Sequence, residues 1–245
     1  MVYAGILAGG RGERMGHTQR PKQFLPIGGR PILIHTVERF LHAGCIDRVL
    51  VAVPAKWMEY TKVLLEKYLP EAAVSVVEGG EDRNGSLLRV CGYIEKTFGI
   101  KEEDVLVSHD AVRPFVSTRI LEENVRFARE VGAANTMLPA IDTIATGEGE
   151  FLDTIPPREL MYQVQTPQSF RMAAFIEVCR SLTEREAKTL TDASKIYRLK
   201  GLPVKIVVGE QQNFKITTPY DLAVADFLCK NQPAADDGQA GFPGM

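Results

Sequence analysis

Residues 6–24, ILAGGRGERMGHTQRPKQF, run an apolar segment into glycines and then into cations. Arg11, Arg14, Arg20, Lys22 and Arg30 follow one another with Glu13 as the only acid between positions 11 and 30. The whole chain has a formal charge of −2, so this positive excess is local. Glycines at 9, 10 and 12 let the backbone approach a phosphate closely and aim N–H groups at it. Arg14 offers a planar fork for two phosphate oxygens and Lys22, behind the stiffening Pro21, a mobile point charge. Such a pair suits charge that builds around a phosphorus under attack. Two familiar phosphate loops do not fit. No Gly-Lys-Ser/Thr follows at P-loop spacing, and Met15 stands where the dinucleotide fingerprint needs its third glycine.

Two further segments carry chemistry. SHDAVRPF places Asp110 just past a continuous apolar run, where a carboxylate is costly unless paired or coordinated. Asp110 then either coordinates Mg2+ together with substrate phosphates or pairs with Arg113. His109 reads as a packed neighbour. EGGEDRNGS sets Gly79 and Gly80 before a helix with Ser86 in its first turn. That arrangement reads a flat base edge with backbone groups, or is a plain helix cap.

The elements that must position these residues alternate in type. Strand patterns at 2–7, DRVLVAVP, AVSVVEGG, DVLVSHD and PVKIVVG are separated by helical ones. The helices are expected at RPILIHTVERFLHAG, about 57–69, DRNGSLLRVCGYIEKTFG and 117–131, then at about 171–183, 191–199 and 218–230. Leu87, Cys91, Ile94 and Phe98 share one stripe of the helix at DRNGSLLRVCGYIEKTFG. This order predicts an α/β fold with a mostly parallel sheet and helices on both faces. Ligands of such sheets sit in the crevice at the carboxyl ends of the strands, where all three segments fall. The alternation stops between about 141 and 165, which reads as a protruding β-arm. The domain is expected over 1–230. The Pro-, Gly- and Ala-rich 231–245 is expected to be a disordered tail.

Composition excludes several classes. With 45% apolar and 24% charged residues the chain is an ordinary soluble protein, and its near-neutral balance speaks against a nucleic-acid partner. No apolar run reaches the length of a membrane span, and the N-terminus lacks a signal-peptide pattern, so a cytoplasmic protein is expected. Cys45, Cys91, Cys179 and Cys229 form no CxxC pair and read as buried thiols in a reducing compartment.

Taken in order, LAGGRGERM…PKQFL, GGEDRNGS, HDAVRPF, QTPQSF, LTDASK and NFKITTPYDL resemble the cytidylyltransferases that act on sugar or polyol phosphates. The resemblance runs from about residue 2 to 230. Its branches act on 2-C-methyl-D-erythritol 4-phosphate and on ribitol 5-phosphate, and AGILAGGRGERMG, IDTI and MYQVQTPQSFR are more similar to the ribitol branch. Ala111, Ser194 and Val164 depart from that branch, which often has Ser, Cys and Gly there.

The resemblance implies a single Rossmann-like nucleotidyltransferase domain. Leu7, Ala8, Gly9, Gly10, Gly80, Glu81 and Ser86 would hold CTP, with Arg83 in support, and Lys215 would contact its phosphates. Arg14 and Lys22 would be catalytic, Asp110 would bind Mg2+, and Arg158, Arg113 and Thr191 would position the polyol phosphate. It also implies CDP-ribitol and pyrophosphate as products, a place in wall teichoic acid or capsule synthesis, and a homodimer joined through the β-arm. Apart from CTP, the polyol phosphate and a second copy of the chain, no partner is implied.

Overall fold

The computed structural model of the chain describes residues 1–10, 20–183, 186 and 192–231. Strand β1 (Val2–Leu7) leads through the hairpin β2 (Pro26–Ile27) and β3 (Arg30–Pro31) to α1 (Ile32–Leu41). Then come β4 (Arg48–Val53), α2 (Met58–Tyr68), β5 (Val74–Glu78), α3 (Arg83–Phe98), β6 (Val105–Asp110), α4 (Thr118–Val131) and β7 (Ala133–Pro139). A hairpin of β8 (Thr146–Glu148) and β9 (Phe151–Thr154) precedes β10 (Tyr162–Arg171). The chain continues through α5 (Met172–Arg180), α6 (Ala193–Leu199), β11 (Lys205–Val208) and α7 (Pro219–Asn231).

Seven strands form one sheet in the order β11-β7-β10-β6-β1-β4-β5. All neighbours are parallel except β10, which is antiparallel to both β6 and β7. Alternate residues of the central strands feed two cores. Val2, Ala4, Ile6, Val49, Val51 and Val107 pack with α1, α2 and α4, while Tyr3, Leu50, Ala52 and Leu106 pack with α3, α5 and α6. A strand covered on both faces favours apolar residues at successive positions, which explains the runs of β1, of Val49–Val53 in β4 and of Val105–Val107 in β6. Gly5 brings α3 close: a Cβ there would lie 3.2 Å from Val90 Cγ1.

From β1 the chain builds outward through β4 and β5, then returns to place β6 on the other side of β1. The strand order therefore reverses between β1 and β6, the switch point at which α/β sheets open a crevice.

Three expectations need correction. Phe98 does not join the buried stripe; it is 39% exposed and stacks on Tyr3 at 5.9 Å. The expected arm is shorter than 141–165, because β10 begins at Tyr162 and re-enters the main sheet. Helix α7 extends to Asn231, one residue into the expected tail, and residues 232–245 lie outside the described residues. Strand β7 is not expected from the sequence at all, since AANTMLP shows neither alternation nor a β-branched run.

Candidate active site

A cleft of about 540 Å³ opens at the reversal point. Leu7, Ala8, Gly9 and Gly10 enter it from the end of β1, and Lys22 from the turn before β2. Gly80, Glu81, Arg83 and Ser86 come from the start of α3, Asp110 from the end of β6, and Lys215 from the segment between β11 and α7. These residues, expected from the sequence, meet in one place.

The wall at α3 is built on glycine and one hydroxyl. Asp82, not Ser86, caps the helix by accepting from Gly85 N at 2.6 Å. Ser86 Oγ is thus released to accept from Gly80 N at 3.1 Å and to donate to the Asp82 carbonyl at 2.8 Å. A Cβ on Gly80 would lie 2.4 Å from the Gly85 carbonyl carbon, so only glycine permits this crossing. Opposite, among the described residues, a Cβ on Gly9 or Gly10 would meet nothing closer than Ser86 Oγ at 3.7 Å or Lys22 Cε at 3.9 Å. No packing among the described residues demands these two glycines, and they leave the cleft open on that side.

Asp110 is the electrostatic centre. Its Oδ2 lies 3.0 Å from Lys215 Nζ and 3.4 Å from Arg113 Nε, and its Oδ1 lies 3.5 Å from Arg83 Nε. Burial would raise the Asp110 carboxyl pKa, but Arg83, Lys215 and Arg113 outweigh it and hold the group well below the usual carboxylate range. Pairing with Arg113 is thus part of a wider cluster. Arg83 Nη1 and Nη2 are buried and make no hydrogen bond among the described residues. Buried guanidinium donors without an acceptor are costly, and a ligand anion in the cleft would satisfy them.

His109 stabilises the turn behind this cluster. Asp110 N donates to Thr166 Oγ1 at 3.1 Å, so the hydroxyl proton is left for His109 Nδ1, 3.0 Å away. Nδ1 is then the acceptor, and Nε2 donates to the Arg113 carbonyl at 3.0 Å. Burial pushes the His109 pKa down from 6.5 to about 4, consistent with this neutral tautomer. The unfolded chain binds the proton that the folded chain refuses, so stability from this group is complete above pH 6.5 and declines as pH falls toward 4. Asp110, depressed below the usual range, loses its share only under more acidic conditions. Thermal midpoints should therefore drop between pH 7 and pH 5 in the parent protein, and this component should vanish in His109→Asn. An unchanged difference between the two pH values in that variant would assign the acid sensitivity elsewhere.

A second cavity of about 330 Å³ shares Lys215 with the first. Arg113, Asp142, Gln163, Gln165 and Gln211 line it with hydrogen-bonding groups beside the root of the arm. Arg113 borders this cavity and not the first. Arg158 lines neither; it is exposed, with Nη1 donating to the Ile141 carbonyl at 3.1 Å. Arg14 and Thr191 lie outside the described residues.

Other contributors carry little or no mark in the sequence. Gln23, 1% exposed, donates from Nε2 to the Ala8 carbonyl at 2.6 Å and so fixes the start of the glycine loop. Thr217 lines the cleft just ahead of a capping box. In that box Asp221 accepts from Thr217 N and Thr218 N, and Thr218 Oγ1 accepts from Asp221 N. TTPYD holds that signal; nothing local to Gln23 shows its role.

This sheet, with its crevice between β1 and β6, is of the α/β class that binds ligands at a switch point, and a family match makes it an α/β nucleotidyltransferase. The sequence pattern of 2-C-methyl-D-erythritol 4-phosphate cytidylyltransferase (IspD) matches residues 2–231, and the chain belongs to that family. It is 46% identical over 232 residues to a ribitol-5-phosphate cytidylyltransferase of Lactiplantibacillus plantarum, covering 95% of this chain and 100% of that protein. Among solved structures, 2-C-methyl-D-erythritol 4-phosphate cytidylyltransferase of Thermus thermophilus superposes with a TM-score of 0.70 at 30% identity, covering 94% of this chain and 98% of that one. The 4-diphosphocytidyl-2C-methyl-D-erythritol synthase of Anaerococcus prevotii gives a TM-score of 0.75 at 25% identity, covering 94% and 96%.

Proposed function

We propose that the chain transfers the cytidylyl group of CTP to D-ribitol 5-phosphate, giving CDP-ribitol and pyrophosphate. The observation that carries this reading is the pair of cavities joined at Lys215, one with a glycine cradle and unpartnered Arg83 nitrogens, the other lined by amides and Arg113. The identity to the Lactiplantibacillus plantarum enzyme supports ribitol 5-phosphate as the acceptor. A phosphate oxygen of the acceptor attacks the α-phosphorus of CTP; a P–O bond forms as the bond to pyrophosphate breaks. No proton needs to be removed from this nucleophile, so the obstacle is anion meeting anion. Arg83, Lys22, Lys215 and Arg14 oppose that repulsion, and Gly80 and Ser86 orient the base end.

Among the described residues no group of three or more His, Cys, Asp or Glu side chains could hold a metal without other ligands. One ionised carboxylate completed by substrate phosphates is how Mg2+ is commonly bound, and Asp110 fits that pattern. Asp110 would hold Mg2+, which when bound neutralises charge on the phosphate oxygens.

Pyrophosphate release from CTP with ribitol 5-phosphate and 2-C-methyl-D-erythritol 4-phosphate in parallel tests the acceptor. We expect higher kcat/KM for ribitol 5-phosphate, because an ill-matched polyol leaves amides of the second cavity such as Gln163 and Gln211 without the partners a matched one supplies. Preference for the methylerythritol compound would overturn the acceptor and leave cytidylyl transfer intact.

The proposal includes one cytidylyltransferase domain over 1–230 acting as a cytoplasmic homodimer. No helix among the described residues is long and apolar enough to cross a membrane. The arm supports the dimer: β8 and β9 pair only with each other, and Phe151 is 82%, Leu152 66%, Ile141 60% and Ile155 58% exposed, with Ile144 half-buried. So much apolar surface on a two-stranded ribbon calls for a covering partner. Arg158, which lines neither of its own chain's cavities, would serve the partner's acceptor site. Mixing Arg158→Ala and Lys22→Ala chains should restore activity through one hybrid site that is intact at both positions. No recovery after confirmed subunit exchange, or a monomer in solution, would remove the shared site.

A further inference from the structure

Lys215 reaches Asp110 from residues 214–218, which belong to no strand or helix and lie between the single 3-10 turn Gln211–Asn213 and α7. What holds such a segment in register must be side chains or isolated backbone contacts. Downstream, Ile216 N donates to the Val112 carbonyl at 2.9 Å. Upstream the anchor is Asn213, 0% exposed. Its Nδ2 donates to Gln165 Oε1 at 3.0 Å and to the Thr166 carbonyl at 2.8 Å, using both amide hydrogens. Its own carbonyl accepts from Arg113 Nη1 at 2.7 Å.

This residue therefore joins three parts of the site. One is β10, through Gln165 and Thr166, the latter also holding Asp110 N and His109. Another is the turn after β6, through Arg113. The last is the Lys215 segment itself, whose lysine stands between the anchors at Asn213 and Ile216. The receiving groups are rigid. Gln165 Nε2 is tied to the Glu210 carbonyl at 2.9 Å, and a Cβ on Gly209 would fall 2.5 Å from Gln165 Oε1.

Resting on the cytidylyl-transfer reading, we infer that Asn213 is a positioning residue that holds Lys215 and Arg113 against Asp110, aligning the acceptor cavity with the nucleotide cleft. It touches neither cavity, so substrate binding alone would not reveal it.

The test uses the full chain as Asn213→Ala and the milder Asn213→Ser, with Lys215→Ala and the corresponding double variants. In the single Asn213 variants kcat should fall on the order of a hundredfold, the scale of a group displaced by about an ångström. The Kd for CTP should stay near the parental value. Each double variant should lose clearly less than the product of the two single losses, since Asn213 acts largely through that lysine and only in smaller part through Arg113. Losses that multiply, or a normal kcat in folded protein, overturn the inference. A second readout needs no substrate. Acetylation of Lys215 by an N-hydroxysuccinimide ester, followed by peptide mass spectrometry, should accelerate in Asn213→Ser relative to Lys96. An unchanged Lys215 rate overturns the positioning role even if the parent protein transfers no cytidylyl group, an outcome that would count against the functional reading separately. Should Asn213→Ala not fold, Asn213→Ser carries both measurements.

Discussion

Lys22→Ala should lower kcat by about two to three orders of magnitude while CTP still binds. The lysine emerges from the short turn Lys22–Phe24 behind Pro21 and is only 8% exposed, unlike a solvated surface cation. Its Nζ donates to the Ile216 carbonyl at 3.0 Å, and its stem runs beside Gly10, so the charge is held over the glycine loop before any substrate arrives. A preorganised donor in a water-poor cleft requires no reorganisation as charge develops on the phosphorus. Removing one such donor costs about 2.7–4 kcal/mol, a hundred- to thousandfold in rate. Lys22→Arg should recover little, because a planar guanidinium does not fit a slot shaped for a compact ammonium. The measurement is single-turnover kinetics beside equilibrium CTP binding. If kcat is preserved and only the affinity for CTP falls, Lys22 provides uniform binding and has no special role at the transition state. Near-parental turnover would remove it from the mechanism. The same experiment on Arg14, which lies outside the described residues, would test its expected partnership with Lys22.

Asp110→Asn is expected to have the second largest effect, and the cluster around it makes the outcome specific. The substitution keeps shape but removes the charge shared by Arg83, Arg113 and Lys215. Arg113, 8% exposed, is then left facing other cations, and breaking a buried pair in this way costs about 3–5 kcal/mol of stability. Discounting for the more exposed Lys215 and Arg83, a lowered but cooperative thermal transition is expected. Activity should fall steeply, with the Mg2+ dependence shifted to higher concentration, because a neutral amide is a poor ligand. Metal-free pyrophosphate should bind at least as well as to the parent, since the cleft has become more positive by one charge. An Mg2+ response identical to the parent's would show that Asp110 organises the cations without binding the metal.

How much of this is legible without coordinates depends on the range over which each feature is encoded. The strands β1, β4 and β6 are visible because a doubly covered strand favours apolar residues at successive positions. The helices show their faces by periodicity and their ends by residues such as Gly132, left-handed at φ 99°. Gly80 and Ser86, six residues apart, are visible because the loop they close is local.

Strand β10 is obscured by its own composition. Gln165, Thr166, Gln168 and Ser169 are buried polar residues, and Pro167 sits where the ladder to β7 shifts register. Its strand character comes from hydrogen bonding to β6 on one side and β7 on the other, which no local pattern records. For the same reason the sequence marks Asp110 yet leaves it open between a metal and Arg113. The carboxylate draws Arg83, Arg113 and Lys215 from separate stretches of chain, and only the crossing of those stretches at the reversal of the sheet sets their combined field. Asn213 and Gln23 fall within NFKITTPYDL and PKQFL, but nothing local shows what they do, because a buried amide's role is identified only by the backbone groups that the fold places around it. The sequence alone thus determined the helices, the parallel strands other than β7, and the chemical kinds of residue at the strand ends, but not β7 or β10. The tertiary structure decided which charges share one carboxylate and which apolar ribbon is left uncovered, because electrostatics and burial depend on distance in space.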